Sequence, residues 1–236
     1  MQLDTNALKS VGIDLAFPRS FDIWGDAAIE SPVFCASNLR FDTFLRIGAF
    51  SNLNASTEIG HTSIGRYTSI AQNCFIGADR HPTDWISTSR VFYVPDFRGF
   101  STFVGGRDPS TPFSATGTPT RIGNDVLIAN SCIINRGITI GDGAIVAPGS
   151  VVTKDVPTYA IAGGNPARVL RYRFPDAIIA KLLDLQWWNY SIFHLESIDY
   201  TDIGKVIDRF EEVRDELTVF EPGFHLTREN YSSFLQ

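Results

Sequence analysis

TRIGNDVLIANSCIINRGITIGDGAIVAPGSVVTKDV, residues 120–156, repeats itself every six residues. A branched aliphatic leads each unit: Ile122, Ile128, Ile134, Ile140, Val146 and Val152. Four residues after a lead comes a second, usually smaller side chain, at Val126, Cys132, Ile138, Ala144 and Ser150. The residue directly after the lead is small at Gly123, Ala129, Gly141 and Ala147, while Asn135 and Thr153 break that rule. A period of six fits neither a helix, at about 3.6 residues per turn, nor a plain strand, at about two. As a multiple of two, it lets each unit be a short strand followed by a tight turn. Three units close a triangular coil of about eighteen residues, and stacked coils make the parallel β-helix of which hexapeptide repeats are the signature. The leads then point into a prism and the small residues turn its corners.

Working upstream, the same period runs through Ile29, Cys35, Phe41, Ile47, Leu53 and Ile59, loses one residue, and resumes at Ile64, Ile70 and Ile76. The expected prism is therefore residues 29–165. Residues 1–28, with Phe17, Pro18, Phe21, Trp24 and Gly25, read as an N-terminal cap over strand edges that would otherwise invite aggregation. The period stops at about Asp79. The stretch to 121, rich in proline and aromatics, is long for a structureless loop, and its rings are what a packed excursion would bury. We expect an excursion loop over about 79–121 that leaves the prism and packs against it or a neighbour. Residues 166–236 read as a C-terminal helical segment. It has apolar stripes over 176–188 and from about Thr201 to Leu217, both explained by core packing.

Composition narrows the function. The chain has 236 residues, 44% hydrophobic and 19% charged, as in a soluble globular protein. It contains no apolar run long enough for a membrane span, and its N-terminus does not read as a signal peptide. A net charge of −6 argues against a nucleic-acid or anionic-membrane surface. A polyanionic ligand would need a local basic patch, and Lys154, Arg168, Arg171 and Arg173 offer one. The three cysteines, Cys35, Cys74 and Cys132, read as small buried hydrophobes in a reducing compartment, which makes the expected location cytoplasmic.

The prism alone assigns no chemistry, so the site must come from residues that break the repeat. The sharpest break is RHPTDWIS, residues 80–87, with His81 at the root of the excursion. HPTDW after a hexad run, followed by IGNDV, GITIGDGA, GSVVTKDVP and GNPARV, resembles the xenobiotic acetyltransferase branch of the hexapeptide-repeat acyltransferases. That branch includes chloramphenicol and streptogramin acetyltransferases and sugar O-acetyltransferases, and the resemblance covers roughly residues 55–190. It implies a left-handed parallel β-helix, a homotrimer, acetyl-CoA lying between adjacent prisms, and a loop histidine as general base, which His81 matches. An imidazole, with an ordinary pKa near ~6.5, suits removal of a hydroxyl proton at neutral pH, typically worth ~10²–10⁴ in rate. Asp79, Asp84 or a backbone carbonyl could orient the ring.

The resemblance also implies a cofactor track. Asn130 and the Pro148–Gly149 turn would meet the pantetheine arm, Thr153 and Lys154 the adenine end, and Arg168 and Arg171 the nucleotide phosphates. The chain departs from the family pattern at Leu127, usually Trp, at Ala129, usually Gly, and at Pro148, which donates no N–H. Trp85, Tyr93, Phe97 and Phe103 are the candidate walls of an acceptor pocket. His61, His81, His194 and His225 do not have zinc-site spacing, so no metal is expected. The expected function is acetyl-CoA-dependent O-acetylation of a small molecule, with a carbohydrate or nucleotide sugar first among acceptors. The alternatives are an antibiotic acetyltransferase, a sugar N-acyltransferase, and a non-catalytic trimeric scaffold.

Overall fold

A computed structural model gives the fold and describes residues 4–15, 26–104, 113–114, 117–191 and 199–234. The chain winds as a left-handed parallel β-helix of three faces. Face A holds Ala27–Glu30, the ends of the strands Asn38–Ile47 and Glu58–Ile64, then Thr120–Ile122 and Thr139–Ile140. Face B stacks Ile13–Leu15, Val33–Cys35, Asn52–Leu53, Ser69–Ile70, Leu127–Ile128, Ile145–Val146 and Ala160–Gly164. Face C holds the beginnings of the strands Asn38–Ile47 and Glu58–Ile64, then Phe75–Ile76, Ile133–Ile134 and Val151–Val152.

The hexad leads make the core. Ile122 lies beside Ile140, Ile128 beside Val146 and Ile134 beside Val152, so each lead stacks on the lead one coil later. All six are at most 3% exposed. Burying each such side chain contributes about 1.5–3 kcal/mol as an upper estimate. The corners need left-handed backbone, and Asp125, Ser131, Gly137, Gly143 and Gly149 all have positive φ. Asp and Gly are residue types that tolerate this region.

Upstream, the lost residue is a shortened corner at Gly60–His61, inside the strand Glu58–Ile64. The lead of that coil's third face is Leu39, whose backbone pairs with Ile59, rather than Phe41. The register shifts between Arg40 and Leu45, and this absorbs the difference. The coils also begin earlier than residue 29, because Ile13–Leu15 already pairs with Val33–Cys35. Helix α1 (Thr5–Ser10), capped by the Asp4 carboxylate, covers that end with a fully buried Leu8. Phe17, Pro18, Phe21, Trp24 and Gly25 lie outside the described residues.

The excursion interrupts the coil without disturbing its register. Ile64 pairs with Ile122, and Ile76 with Ile134, across it. Among its described residues it contains one short α-helix, α2 (Phe100–Val104), and 3-10 turns at Arg90–Phe92 and Phe97–Gly99. Beyond the prism, Ala160–Gly164 folds back into the antiparallel strand Ala167–Tyr172, so the segment after 165 is not helical throughout. Helices α3 (Asp176–Leu185) and α4 (Ile203–Val213) follow, close to the two apolar stripes. Their buried Ile179, Leu182, Leu185, Ile207, Phe210 and Val213 form a second core with Tyr159. His225–Thr227 then pairs antiparallel with Ala27–Glu30 and covers that sheet edge.

Candidate active site

The excursion leaves the prism at Gly77, and nothing but glycine fits there. Its φ is +70°, and a Cβ would lie 1.9 Å from the Gly60 carbonyl oxygen. From the next coil, Arg136 donates to the Gly77 carbonyl, to the Ala78 carbonyl at 2.7 Å and to Asp79 Oδ1 at 2.8 Å. Its side chain is 1% exposed. A buried guanidinium is tolerable only when its donors are spent in this way. Asp79 Oδ2 accepts from Arg90 at 3.0 Å, which ties the outgoing limb to the turn at Arg90–Phe92. The returning limb is held by His61, whose Nε2 donates to the Gly117 carbonyl at 3.1 Å. His61 therefore anchors the loop.

His81 stands between these anchors with its imidazole oriented. Nδ1 lies 2.8 Å from the Thr88 carbonyl oxygen, and the Tyr93 hydroxyl reaches the same nitrogen at 3.1 Å. A carbonyl only accepts, so Nδ1 carries a proton, and in the neutral ring the lone pair then falls to Nε2. Of the three groups that could orient the ring, the backbone carbonyl does so. Asp79 is engaged by Arg136 and Arg90, and Asp84 is exposed.

The rings around His81 differ in part from those expected. Tyr93 is buried and meets Trp85 edge-on at 6.2 Å, and Phe113 packs on both, at 5.1 Å from Tyr93 and 5.7 Å from Trp85. Phe97 packs on Phe100 instead, and Phe103 is 82% exposed. A cavity of about 320 Å³ lies elsewhere, under α3 and α4, lined by Tyr159, Arg173, Phe174 and Leu182 among others.

The proposed cofactor residues occupy two neighbouring edges and the strand Ala167–Tyr172. Asn130 and Pro148–Gly149 sit one above the other on the edge between faces B and C, where Gly149 N–H donates to the Asn130 carbonyl at 2.9 Å. Asn130 Oδ1 accepts from Gln72 N–H at 3.1 Å. A Cβ at Gly149 would meet nothing within 4 Å, so this turn is open to a ligand. Thr153 and Lys154 are exposed on the edge between faces C and A, one coil from Asn135–Arg136. Arg168 and Arg171 are exposed on the strand Ala167–Tyr172, and each donates to a neighbouring carbonyl. Arg173, the fourth member of the basic patch, pairs instead with Asp125 at 2.8 Å. The three cysteines are free thiols inside the prism. Burial pushes Cys35 up to about 11, and the neighbouring Cys74 thiol together with burial pushes Cys132 up. Among the described residues, no three or more of His, Cys, Asp and Glu gather as metal ligands, and His194 lies outside them.

Comparison with known proteins bears on the repeat itself. Residues 119–154 match the bacterial transferase hexapeptide (six repeats). A chloramphenicol acetyltransferase of Agrobacterium fabrum is 42% identical over 137 residues, which are 57% of this chain and 62% of that protein. The chain thus carries the bacterial transferase hexapeptide repeat and is similar over its matched part to xenobiotic acetyltransferases. It matches less than two thirds of the length of the chloramphenicol acetyltransferases. Other relatives of this hexapeptide-repeat protein are a probable macrolide acetyltransferase of Lysinibacillus sphaericus and a galactoside O-acetyltransferase of Escherichia coli. The first is 50% identical over 72 residues, covering 30% of this chain and 40% of that one. The second is 49% identical over 53 residues, covering 22% and 26%. No helix among the described residues is long and apolar enough to cross a membrane.

Sequence reasoning missed Arg136, Thr88, Arg90 and Phe113. Arg136 carried a signal only through its neighbour, because Asn135 stands where the repeat otherwise places a small residue. Thr88 carried none, since it acts through its backbone.

Proposed function

We propose that this protein transfers an acetyl group from acetyl-CoA to a hydroxyl of a small molecule, with His81 as general base. The observation that carries the reading is the ring geometry: Nδ1–H is held by the Thr88 carbonyl, and Nε2 is left to accept a proton. As the acceptor oxygen attacks the thioester carbonyl, Nε2 takes its hydrogen. Collapse of the tetrahedral adduct breaks the C–S bond, and the imidazolium returns the proton to the departing thiolate, giving the acetyl ester and CoA thiol. The balance is complete without a covalent enzyme intermediate. The fixed Nδ1–H bond means that the ring does not reorient during the cycle.

The donor would lie along the turns at Asn130 and Pro148–Gly149. The exposed Lys154, Arg168 and Arg171 would serve as cations for its phosphates in a chain of net charge −6. Phe75, Leu127 and Ile133 point outward from faces B and C at 40–44% exposed, an apolar surface that a homotrimer would cover. Free thiols suit the reducing cytoplasm. The acceptor would sit against Trp85, Tyr93 and Phe113. Its class follows the sugar acetyltransferases by analogy, with chloramphenicol-like drugs and sugar amines as the competitors.

The test joins two measurements. Calorimetric titration with acetyl-CoA is expected to show binding, and the absence of binding would favour a scaffold. Thiol release is then followed with sugars, nucleotide sugars and chloramphenicol side by side. Turnover with none of them in a protein that binds acetyl-CoA would contradict small-molecule O-acetylation.

A further inference from the structure

We infer that Arg136 and Asp79 form a clamp that positions His81, so that a residue of the regular coil acts in catalysis without touching substrate. The inference rests on the general-base reading above. The coil supplies one fixed point, because Arg136 extends from the corner after Ile134, whose register with Val152 and Ile76 is set by the prism. From there its guanidinium grips three consecutive residues at the start of the excursion: the carbonyls of Gly77 and Ala78 and the carboxylate of Asp79. The third of these lies two residues before His81.

Asp79 then reaches the other side of the imidazole. Its second oxygen holds Arg90, which sits between Thr88 and Tyr93, the two residues whose oxygens meet His81 Nδ1. Arg90 also organises that turn through its own carbonyl, which accepts from Tyr93 N–H at 3.1 Å and Val94 N–H at 2.8 Å. One carboxylate thus joins the limb that carries the imidazole to the limb that grips it, and one buried arginine fastens both to the prism. The cost of burying a guanidinium is offset by these spent donors, a pattern suited to fixing one conformation. The coil after Arg136 carries Thr153 and Lys154 at the equivalent corner, so the clamp also sets the height of Nε2 relative to the proposed donor track.

The test combines kinetics with ring spectroscopy on the full chain. Arg136→Met is expected to lower kcat about 10²-fold, as a misplaced general base would, with little change in KM for acetyl-CoA. Arg136→Lys is expected to recover part of this, since it keeps the charge on Asp79 but cannot satisfy three acceptors. In a His81→Ala background, Arg136→Met is expected to cost nothing further. Nitrogen-15 spectra of the histidine rings are expected to show the Nδ1–H tautomer of His81 in the wild type and a tautomer mixture in Arg136→Met. If Arg136→Met does not fold, Asp79→Asn removes the charge at constant volume and carries the same comparisons. An equal loss of kcat with and without His81, or an unchanged tautomer in an impaired variant, overturns the clamp alone. Full activity of His81→Ala overturns the general-base reading, and the clamp with it.

Discussion

Two edges of the same prism have been put to opposite uses. The edge between faces A and B keeps the six-residue spacing from Ile47–Leu53 to Ile140–Val146 and carries large rings at several corners. Phe50, Tyr67 and Tyr159 adopt left-handed backbone with φ of 54–61°, which is unusual for bulky residues and costs about 1–2 kcal/mol each. The return is a welded surface. Phe50 stacks on Tyr67 at 4.6 Å, Tyr67 meets Trp187 at 4.9 Å, and Phe50 meets Phe220 at 4.6 Å. Arg173 joins Asp125 and the Gly143 carbonyl while lying 5.3 Å from both the Tyr159 and Phe174 rings. Burial pushes the Tyr159 hydroxyl up to about 12, so it stays a phenol inside this weld. The edge between faces C and A is irregular instead, with a register shift at Arg40–Leu45, a short corner at Gly60–His61 and the excursion after Gly77. Its anchors at Arg136 and His61 are polar, running from side chains to backbone carbonyls and to the Asp79 carboxylate. The repeat can carry an insertion at a corner because the coils on either side still pair in register, and the inserted chain is free to hold a reactive group.

This division can be broken by substitution. The largest effect on stability is expected in the shared core. Ile134→Ala, at a position 1% exposed, should lower the unfolding free energy by about 2–5 kcal/mol, read by urea denaturation. Trp187→Ala on the welded edge should cost roughly 2 kcal/mol, less than for a fully buried Trp because this one is half-buried, and should leave kcat nearly unchanged. If Trp187→Ala abolished transfer instead, the two edges would not be separate in function. Arg173→Met should cost about 1 kcal/mol, since it strands a partly exposed Asp125, and should be seen as a lowered Tm.

The smallest effect is one of pH. Burial raises the Glu30 carboxyl, but hydrogen bonds from Arg66 and the Ala49 N–H outweigh it and hold the group below its ordinary 4.5. A lowered carboxylate pKa adds stability that is present above the unfolded value and lost as pH falls through the folded one. Glu30→Gln should therefore lower stability most at neutral pH and flatten the acid limb of the profile below about pH 4.5, where the wild type loses the same contribution. An unchanged acid limb would count against the Arg66 contact.

Much of the fold was legible because its information is local and repeated. Ile122 to Val152 each report the same buried position, so the period survives odd leads such as Cys35. It misplaced Phe41 because a register shift leaves no mark in spacing, and it missed Ile13–Leu15 because two or three residues are too few to show a period. His81 was legible as a candidate by its motif, but its orientation was not, since Thr88 contributes only a carbonyl. The ring cluster beside His81 was half legible: Trp85 and Tyr93 converge with Phe113, whereas composition alone could not separate them from Phe97 and Phe103. The cationic set was also divided by tertiary contacts, which leave Arg168 and Arg171 exposed and commit Arg173 to Asp125.

The account stands most directly on the kcat of His81→Ala, measured by thiol release at saturating acetyl-CoA with an accepted acceptor, after calorimetry has confirmed that the variant still binds acetyl-CoA. The expected result is a fall of about 10²–10⁴-fold with donor binding retained. A variant that binds acetyl-CoA and turns over at the wild-type rate would contradict it.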